Sequence, residues 1–337
     1  MEYSASRVLR GDPDNRRPTL ACGDHRAGRF ALRSTGLCKR PFRSLLRDAD
    51  MVHIHFAVDA AGLLPALCRR RRPFVVSLHG HDVLSSDSTL RGRGYRGRTL
   101  LARREELIDR TSLFLCSSKY LRDEAISRGY PPSRTFVHYV GHSLGENDRA
   151  GEESPGPAKV LFVGRLVENK GVDLIVPVSQ SLSAMGVDHR IDVVGAGPFL
   201  TELRRQISLA GAAVDVHEPM PQARVHALMR RAHLVIVPSR PIGSGESEAL
   251  NLVALEAGAI GIPVVANATG GIPEVVMDGV TGLLADPTQP SDFLDKVTRV
   301  LSDGEMRSAM RGNGETLSHF SKKFRRSALM DFYERLL

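Results

Sequence analysis

Five short apolar runs in the second half of the chain constrain its fold more than any other feature. "KVLFVG", "HRIDVVG", "AVDVHE", "HLVIVPS" and "IPVVA" have the length and β-branched content of buried strands. The segments between them, "VDLIVPVSQSLSAMG", "FLTELRRQISLAG", "ARVHALMRRA" and "NLVALEAGAIG", repeat their apolar residues at helical spacing. Strand–helix alternation on this spacing implies a parallel, doubly wound α/β sheet. In such sheets ligands bind beyond the carboxyl ends of the strands, so polar motifs there are candidates for function.

The first half repeats the pattern less cleanly, with "ADMVHIHFA", "PFVVSLHG", "SLFLCSS" and "TFVHYVG" as strands and "ELIDRTSLF" and "KYLRDEAISRG" as helical stretches. A chain of 337 residues is long for one domain. The polar, acidic, Gly/Pro-rich stretch 143–159 reads as a boundary. The expected organisation is a first α/β domain over 1–145 and a linker over 146–158. A second α/β domain over 159–315 and a C-terminal helix over 316–337 packing back on the first domain would follow.

Charge divides the same way. Residues 1–150 carry 27 Lys/Arg against 16 Asp/Glu, a net of +11, and the remainder nets −3. "RRRR" at 69–72 and "RGRGYRGR" at 91–98 suit a phosphorylated substrate, anionic lipid or nucleic acid, or simply a solvated Arg-rich surface. With no RNA-recognition motif or zinc finger, nucleic acid is not the expected partner. Apolar runs are too short for a transmembrane helix, and the N-terminus lacks the apolar core of a secretory signal. Cys22, Cys38, Cys68 and Cys116 are far apart, as expected of reduced thiols in the cytoplasm. Cys116, inside an apolar run, reads as a small buried hydrophobe.

Several constellations could carry chemistry. In "KVLFVGRLVENKGVDLIV", Arg165 and Lys170 follow a strand ending at Gly164, a position suited to an anion such as a nucleotide diphosphate. In "ESEALNLVALEAGAIGIPVVA" a helix is expected from Asn251 or Leu252, with Asn251 as its N-cap and free backbone N–H groups facing an anion. Glu248 would precede that helix and Glu256 would lie just over one turn into it, able to hold paired hydroxyls such as those of a ribose. His53 and His55 alternate on one strand, and "HGHD" places His79, His81 and Asp82 after the next. This set also admits a metal-dependent hydrolase. "VVGAGP" begins like a dinucleotide fingerprint, but Leu200 stands at the third Gly position. "DPD" at 12–14 follows no apolar strand and does not read as a metal-binding carboxylate pair.

Taken together, "VGRLVENKGVDLI", "VVGAGP", "VPS", "ESEALNLVALEAGAIGIPVVA" and "GGIPEVVMDGVTGLLADP" resemble the retaining, nucleotide-sugar-dependent glycosyltransferases of the GT-B fold, family 4. Glu248 and Glu256 match that family's E-x7-E motif, and "ADMVHIHF", "VVSLHGHDV" and "GYPPSRTFVHYVGHSL" resemble its first domain. The resemblance implies two Rossmann-like domains facing across a cleft, the first on the acceptor side and short or trimmed at its start, the second binding the nucleotide-sugar. Glu256 would bind the nucleotide ribose, Glu248 the donor sugar, and backbone amides around Leu250, Asn251 and Leu252 the diphosphate. Arg165 and Lys170 would neutralise the departing diphosphate without a metal or other cofactor, and His79 would lie beside the reacting sugar. The donor would be UDP- or GDP-linked and the acceptor a glycan, a lipid-linked molecule or a metabolite, with peripheral contact to the inner membrane face a further implication. The family's "EGFG" becomes "EALN" here, with Ala249 and Asn251 in place of Gly, and Asn is expected to tolerate the left-handed backbone that Gly would supply. A shortened relative that binds nucleotide-sugar without turnover, a metallohydrolase and a basic RNA- or membrane-binding protein are the alternatives.

Overall fold

The computed structural model describes residues 7–9, 49–68, 72–144, 148–151, 153, 155–242 and 247–337. Cys22, Cys38, the 12–14 motif, most of the 69–72 arginine run and the Gly/Ser approach at 243–246 lie outside them, as does the start of the first domain. Two compact units form, 1–139 with 326–337, and 140–325.

The first unit contains β1 (Arg7–Leu9), β2 (Met51–His55), α1 (Ala57–Cys68), β3 (Phe74–Leu78), α2 (Asp87–Gly92), α3 (Tyr95–Arg110), β4 (Leu113–Cys116), α4 (Lys119–Ser127) and β5 (Thr135–Val137). The five strands lie in sequence order, parallel except for the antiparallel β1–β2 pair. Every residue of β3 and of β4 is buried, the mark of strands covered on both faces. Cys116 is one of them, and burial raises its thiol to about 12, so it packs as an inert hydrophobe. The C-terminal residues 326–337 belong to this unit because Tyr333 is buried among Met51, Val75, Leu113 and Leu115.

The second unit contains β6 (Ala158–Val163), α5 (Ile175–Ala184), β7 (His189–Val194), α6 (Leu200–Ala210), β8 (Val214–His217), α7 (Gln222–Arg231), β9 (Leu234–Val237), α8 (Leu252–Ile260), β10 (Val264–Asn267), β11 (Gly282–Ala285), α9 (Pro290–Ser302) and α10 (Gly304–Gly312), with α11 (Lys322–Glu334) beginning in it. Its sheet is parallel throughout, in the order β11-β10-β9-β6-β7-β8. Alternate strand residues Val160, Phe162, Ile191, Val193, Leu234 and Ile236 share one core cluster with Ile175, Val178 and Leu182 of α5 and Phe293, Val297 and Val300 of α9. The period of two along the strands thus meets the 3.6-residue stripe of the covering helices.

Within the stretch expected to link the domains, Ala150 and Glu153 pack on the second unit. Ala150 N–H donates to Ile260 O at 2.9 Å, and Glu153 takes a bidentate fork from Arg307 of α10 at 2.8 and 2.9 Å. Its acidity serves the Arg307–Arg311 pair rather than solvent, since Arg311 also lies 3.7 Å from Glu153. Burial raises the Glu153 carboxyl, but the Arg307 hydrogen bonds together with the charges of Arg307, His233 and Arg311 outweigh it and hold the carboxyl below the usual range.

"VVGAGP" has a packing role of the same local kind. A Cβ at Gly195 would lie 1.9 Å from Gly164 O, and one at Gly197 2.3 Å from Leu166 O. These glycines let two backbone loops touch, which accounts for a fingerprint without its third Gly.

Candidate active site

In the second sheet β6 has β7 on one side and β9 on the other, so the connections run in opposite directions from it. The carboxyl ends of β6 and β9 therefore flank the topological switch point, where a parallel sheet leaves a crevice. Lys170 comes from the loop after β6 and Glu248 from the loop after β9. Lys170 Nζ donates to Glu248 Oε1, and Ser239 Oγ donates to the same oxygen at 2.9 Å. Both charged side chains are largely shielded, 20% and 15% exposed, so each would be a poorly solvated charge without the other.

The backbone explains how two distant loops meet. Gly171 has φ 65°, and a Cβ there would lie 2.1 Å from Pro238 O, so the Lys170 loop presses directly on the end of β9. Arg240 N–H donates to Asn169 O at 3.0 Å and its guanidinium to Asp173 at 2.9 Å, a second tie between the loops. On the other side, Gly270 has φ 57°, and a Cβ there would come within 2.0 Å of Glu248 O. Gly271 N–H donates to that oxygen at 2.8 Å. Glu248 is thus seated by the "GGIP" turn from one side and by Lys170 from the other.

α8 starts where the sequence places it. Asn251 is its N-cap, with Oδ1 accepting from Ala254 N–H at 2.9 Å. Its φ of −94° is extended, so Asn251 does not stand in for a left-handed Gly, and no residue of 247–252 has a positive φ. The cap side chain, not backbone permissiveness, is what Asn supplies. Leu252 is exposed at the first helical position, and first-turn N–H groups there have no intrahelical acceptor. Leu250, half-buried, adjoins them. With the helix dipole, these groups have the polarity that suits an anion.

Glu256 occupies the second turn of α8, where Gln222 Nε2 donates to its Oε1 at 2.6 Å and His226 Nε2 lies 3.2 Å from its Oε2. Its partners come from α7, separate from those of Glu248. Arg165 is exposed and makes no hydrogen bond or ion pair among the described residues, which leaves its charge available to a ligand. Ser239, Gln222 and His226 are functional candidates that pattern reasoning missed. Ser239 could have been found as the polar end of "HLVIVPS", whereas Gln222 and His226 look like any polar residues of an amphipathic helix.

His79 lies in the first unit, just beyond β3. Its backbone N–H donates to Asp82 Oδ1 at 3.3 Å, while Asp82 Oδ2 accepts from Ala57 N–H at 2.7 Å and so caps α1. His55 Nδ1 and His79 Nε2 are 2.9 Å apart, and His53 bonds Tyr333 OH at 2.5 Å and Ser77 Oγ at 2.8 Å. These imidazoles and Asp82 are held by one another and by protein groups rather than converging on a point, and no cluster of three metal-capable side chains occurs among the described residues. That geometry does not favour the metallohydrolase alternative. Burial lowers the pKa of His79 despite the opposing Asp82 carboxylate, with His81 and His138 adding to the lowering. Phe56 has φ 75°, alone among described non-glycine residues, and packs its ring 4.7 Å from His79 and 5.0 Å from His81. Such a backbone costs about 1–3 kcal/mol and collects at functional sites.

Comparison with known proteins places the chain. The family model for glycosyl transferases group 1 matches residues 145–317, and that for glycosyltransferase family 4 matches residues 10–145. The chain is 30% identical over 286 residues, 80% of its length and 72% of the relative's, to the GDP-mannose-dependent alpha-(1-6)-phosphatidylinositol monomannoside mannosyltransferase of Mycolicibacterium smegmatis. It is also 30% identical over 308 residues to the D-inositol 3-phosphate glycosyltransferase of Actinosynnema mirum, covering 85% of this chain and 72% of that one. Among solved structures, Anabaena HepE in complex with UDP and glucose superposes with a TM-score of 0.71 at 21% identity, over 87% of this chain and 80% of that one. The chain belongs to the group 1, family 4 glycosyl transferases, and its fold is GT-B.

Proposed function

We propose that the protein transfers a hexose from a UDP- or GDP-linked donor to a glycan, lipid-linked or metabolite acceptor, with retention of configuration and without a metal. The observation that carries this reading is the joining of Lys170, Glu248 and Ser239 at the switch point of the second sheet, beside the Asn251-capped end of α8. Breaking the bond to the anomeric carbon leaves negative charge on the diphosphate. Lys170, Arg165 and the N–H groups at Leu250, Asn251 and Leu252 are the cations and dipoles that would receive it. Because the charge grows along the reaction, fixed groups of this kind stabilise the transition state more than the ground state.

Before the donor binds, Glu248 neutralises Lys170. An arriving diphosphate competes for Lys170, which frees Glu248 to accept hydroxyls of the donor sugar. Glu256 would take the ribose hydroxyls in place of Gln222, whose amide holds one of its oxygens. His79 would meet a hydroxyl of the reacting sugar. Among the described residues no helix is long and apolar enough to cross a membrane. Exposed Arg91, Arg93 and Arg98 support peripheral contact with an anionic membrane surface.

The test is a calorimetric titration of the chain with UDP, GDP and ADP, with and without EDTA. One nucleotide binds whether or not EDTA is present, and Glu256→Ala weakens that binding. Equal affinity in variant and parent would remove Glu256 from the donor site, and silence with all three nucleotides would remove the transferase reading.

A further inference from the structure

The imidazoles of His55 and His79 lie nearly parallel, 15° between planes with centroids 5.2 Å apart, and share one hydrogen bond of 2.9 Å between Nδ1 and Nε2. Between two neutral imidazoles one nitrogen must carry the proton and the other must lack it, so the tautomer of one ring dictates that of the other. His55 is itself held. It stacks on His53 at 4.8 Å, and His53 is fixed by Tyr333 OH and Ser77 Oγ. His79 Nδ1 has no hydrogen-bond partner among the described residues. It is the ring nitrogen left for a ligand.

We propose that His55 is a positioning residue that locks the tautomer and ring plane of His79 through this hydrogen bond, so that His79 offers one defined nitrogen, Nδ1, to a saccharide hydroxyl. Strand geometry supplies the arrangement: His53 and His55 alternate on one face of β2, and β2 pairs in parallel with β3, whose carboxyl end carries His79. Without His55 the neutral His79 ring would sample both tautomers, and Nδ1 would present the wrong role for part of the time. The proposal rests on the reading of His79 as the residue beside the reacting sugar.

The test uses the full chain labelled with 15N-histidine. In the parent, His79 gives the nitrogen shifts of a single neutral tautomer. His55→Phe keeps the stacked ring but removes the bond, and His79 shifts move to the average of two tautomers. His55→Asn, whose amide places a polar atom where Nδ1 stood, restores the single tautomer. In transfer assays with a UDP- or GDP-sugar, His55→Phe lowers kcat roughly 10- to 100-fold while donor KM stays within about twofold, and His55→Asn recovers most of the loss. An unchanged His79 tautomer in His55→Phe overturns the proposal, even if kcat falls. If the parent shows no transfer, the functional reading fails, and the nitrogen spectra still decide the role of His55.

Discussion

Glu248 stands in a stretch that otherwise packs as core because three groups hold it there: Lys170, Ser239 and the Gly270–Gly271 turn. A carboxylate in apolar company is legible in a sequence, since it is costly unless partnered. Lys170 was legible as a cation after a strand end, but its pairing with Glu248 was not, since nothing in the sequence brings the two loops together. The partners of Glu256 were not legible either. Gln222 and His226 sit on a helix whose polar residues have the same pattern whether they face water or a carboxylate. Lys170→Ala separates function from structure at this scale. It removes the cation that would meet the leaving diphosphate, and turnover falls about 10²–10³-fold, typical of losing one transition-state charge contact. Donor KM changes less than kcat in steady-state assays, and unimpaired turnover would show that Lys170 does not act on the departing group.

At the scale of elements, α8 turns the Glu248–Glu256 spacing into geometry. It begins at Leu252 because Asn251 caps it, and it ends at Gly261, whose φ of 92° is left-handed. Helix existence, start and cap were all readable from "NLVALEAGAIG". The backbone of the "EALN" turn was not, since a Gly in relatives suggests a positive φ while Asn251 adopts an extended one. Side-chain capping won over backbone permissiveness at that position. Asn251→Ala is expected to cost about 0.5–2 kcal/mol of stability in urea denaturation. Nucleotide affinity weakens as well, because the N–H groups of α8 lose the residue that orders them. Asn251→Ser recovers both. A variant as stable as the parent would show that the cap contributes nothing to α8.

At the scale of the molecule, strand–helix alternation announced two parallel-sheet units, while the ion pairing of Glu153 with Arg307 was hidden because solvation and ion pairing leave the same composition. The histidines of the first unit bear on the stability of the whole chain. Burial, reinforced by His55, His138 and His79, holds His53 neutral, with its pKa well below the ordinary 6.5. Burial likewise lowers His79 and His81, in both cases against the pull of Asp82. Lowered values mean that the unfolded chain binds protons in a range where the folded chain does not, so stability is complete above about pH 6.5 and declines as pH falls towards the folded values. Each such group contributes a slope of up to about 1.4 kcal/mol per pH unit in that window. The depressed carboxyls, Glu153, Glu202, Asp286 and Asp292, act below the ordinary carboxylate range and leave the interval from 6.5 to 5 to histidine. Urea midpoints followed by circular dichroism, the chain having no tryptophan, should hold steady from pH 8 to about 7 and drop between about 6.5 and 5. His53→Asn flattens that drop, because an amide takes up no proton in either state. A midpoint indifferent to pH across this interval, or a variant with the parent's slope, would show that the buried imidazoles do not set the acid limit of the fold.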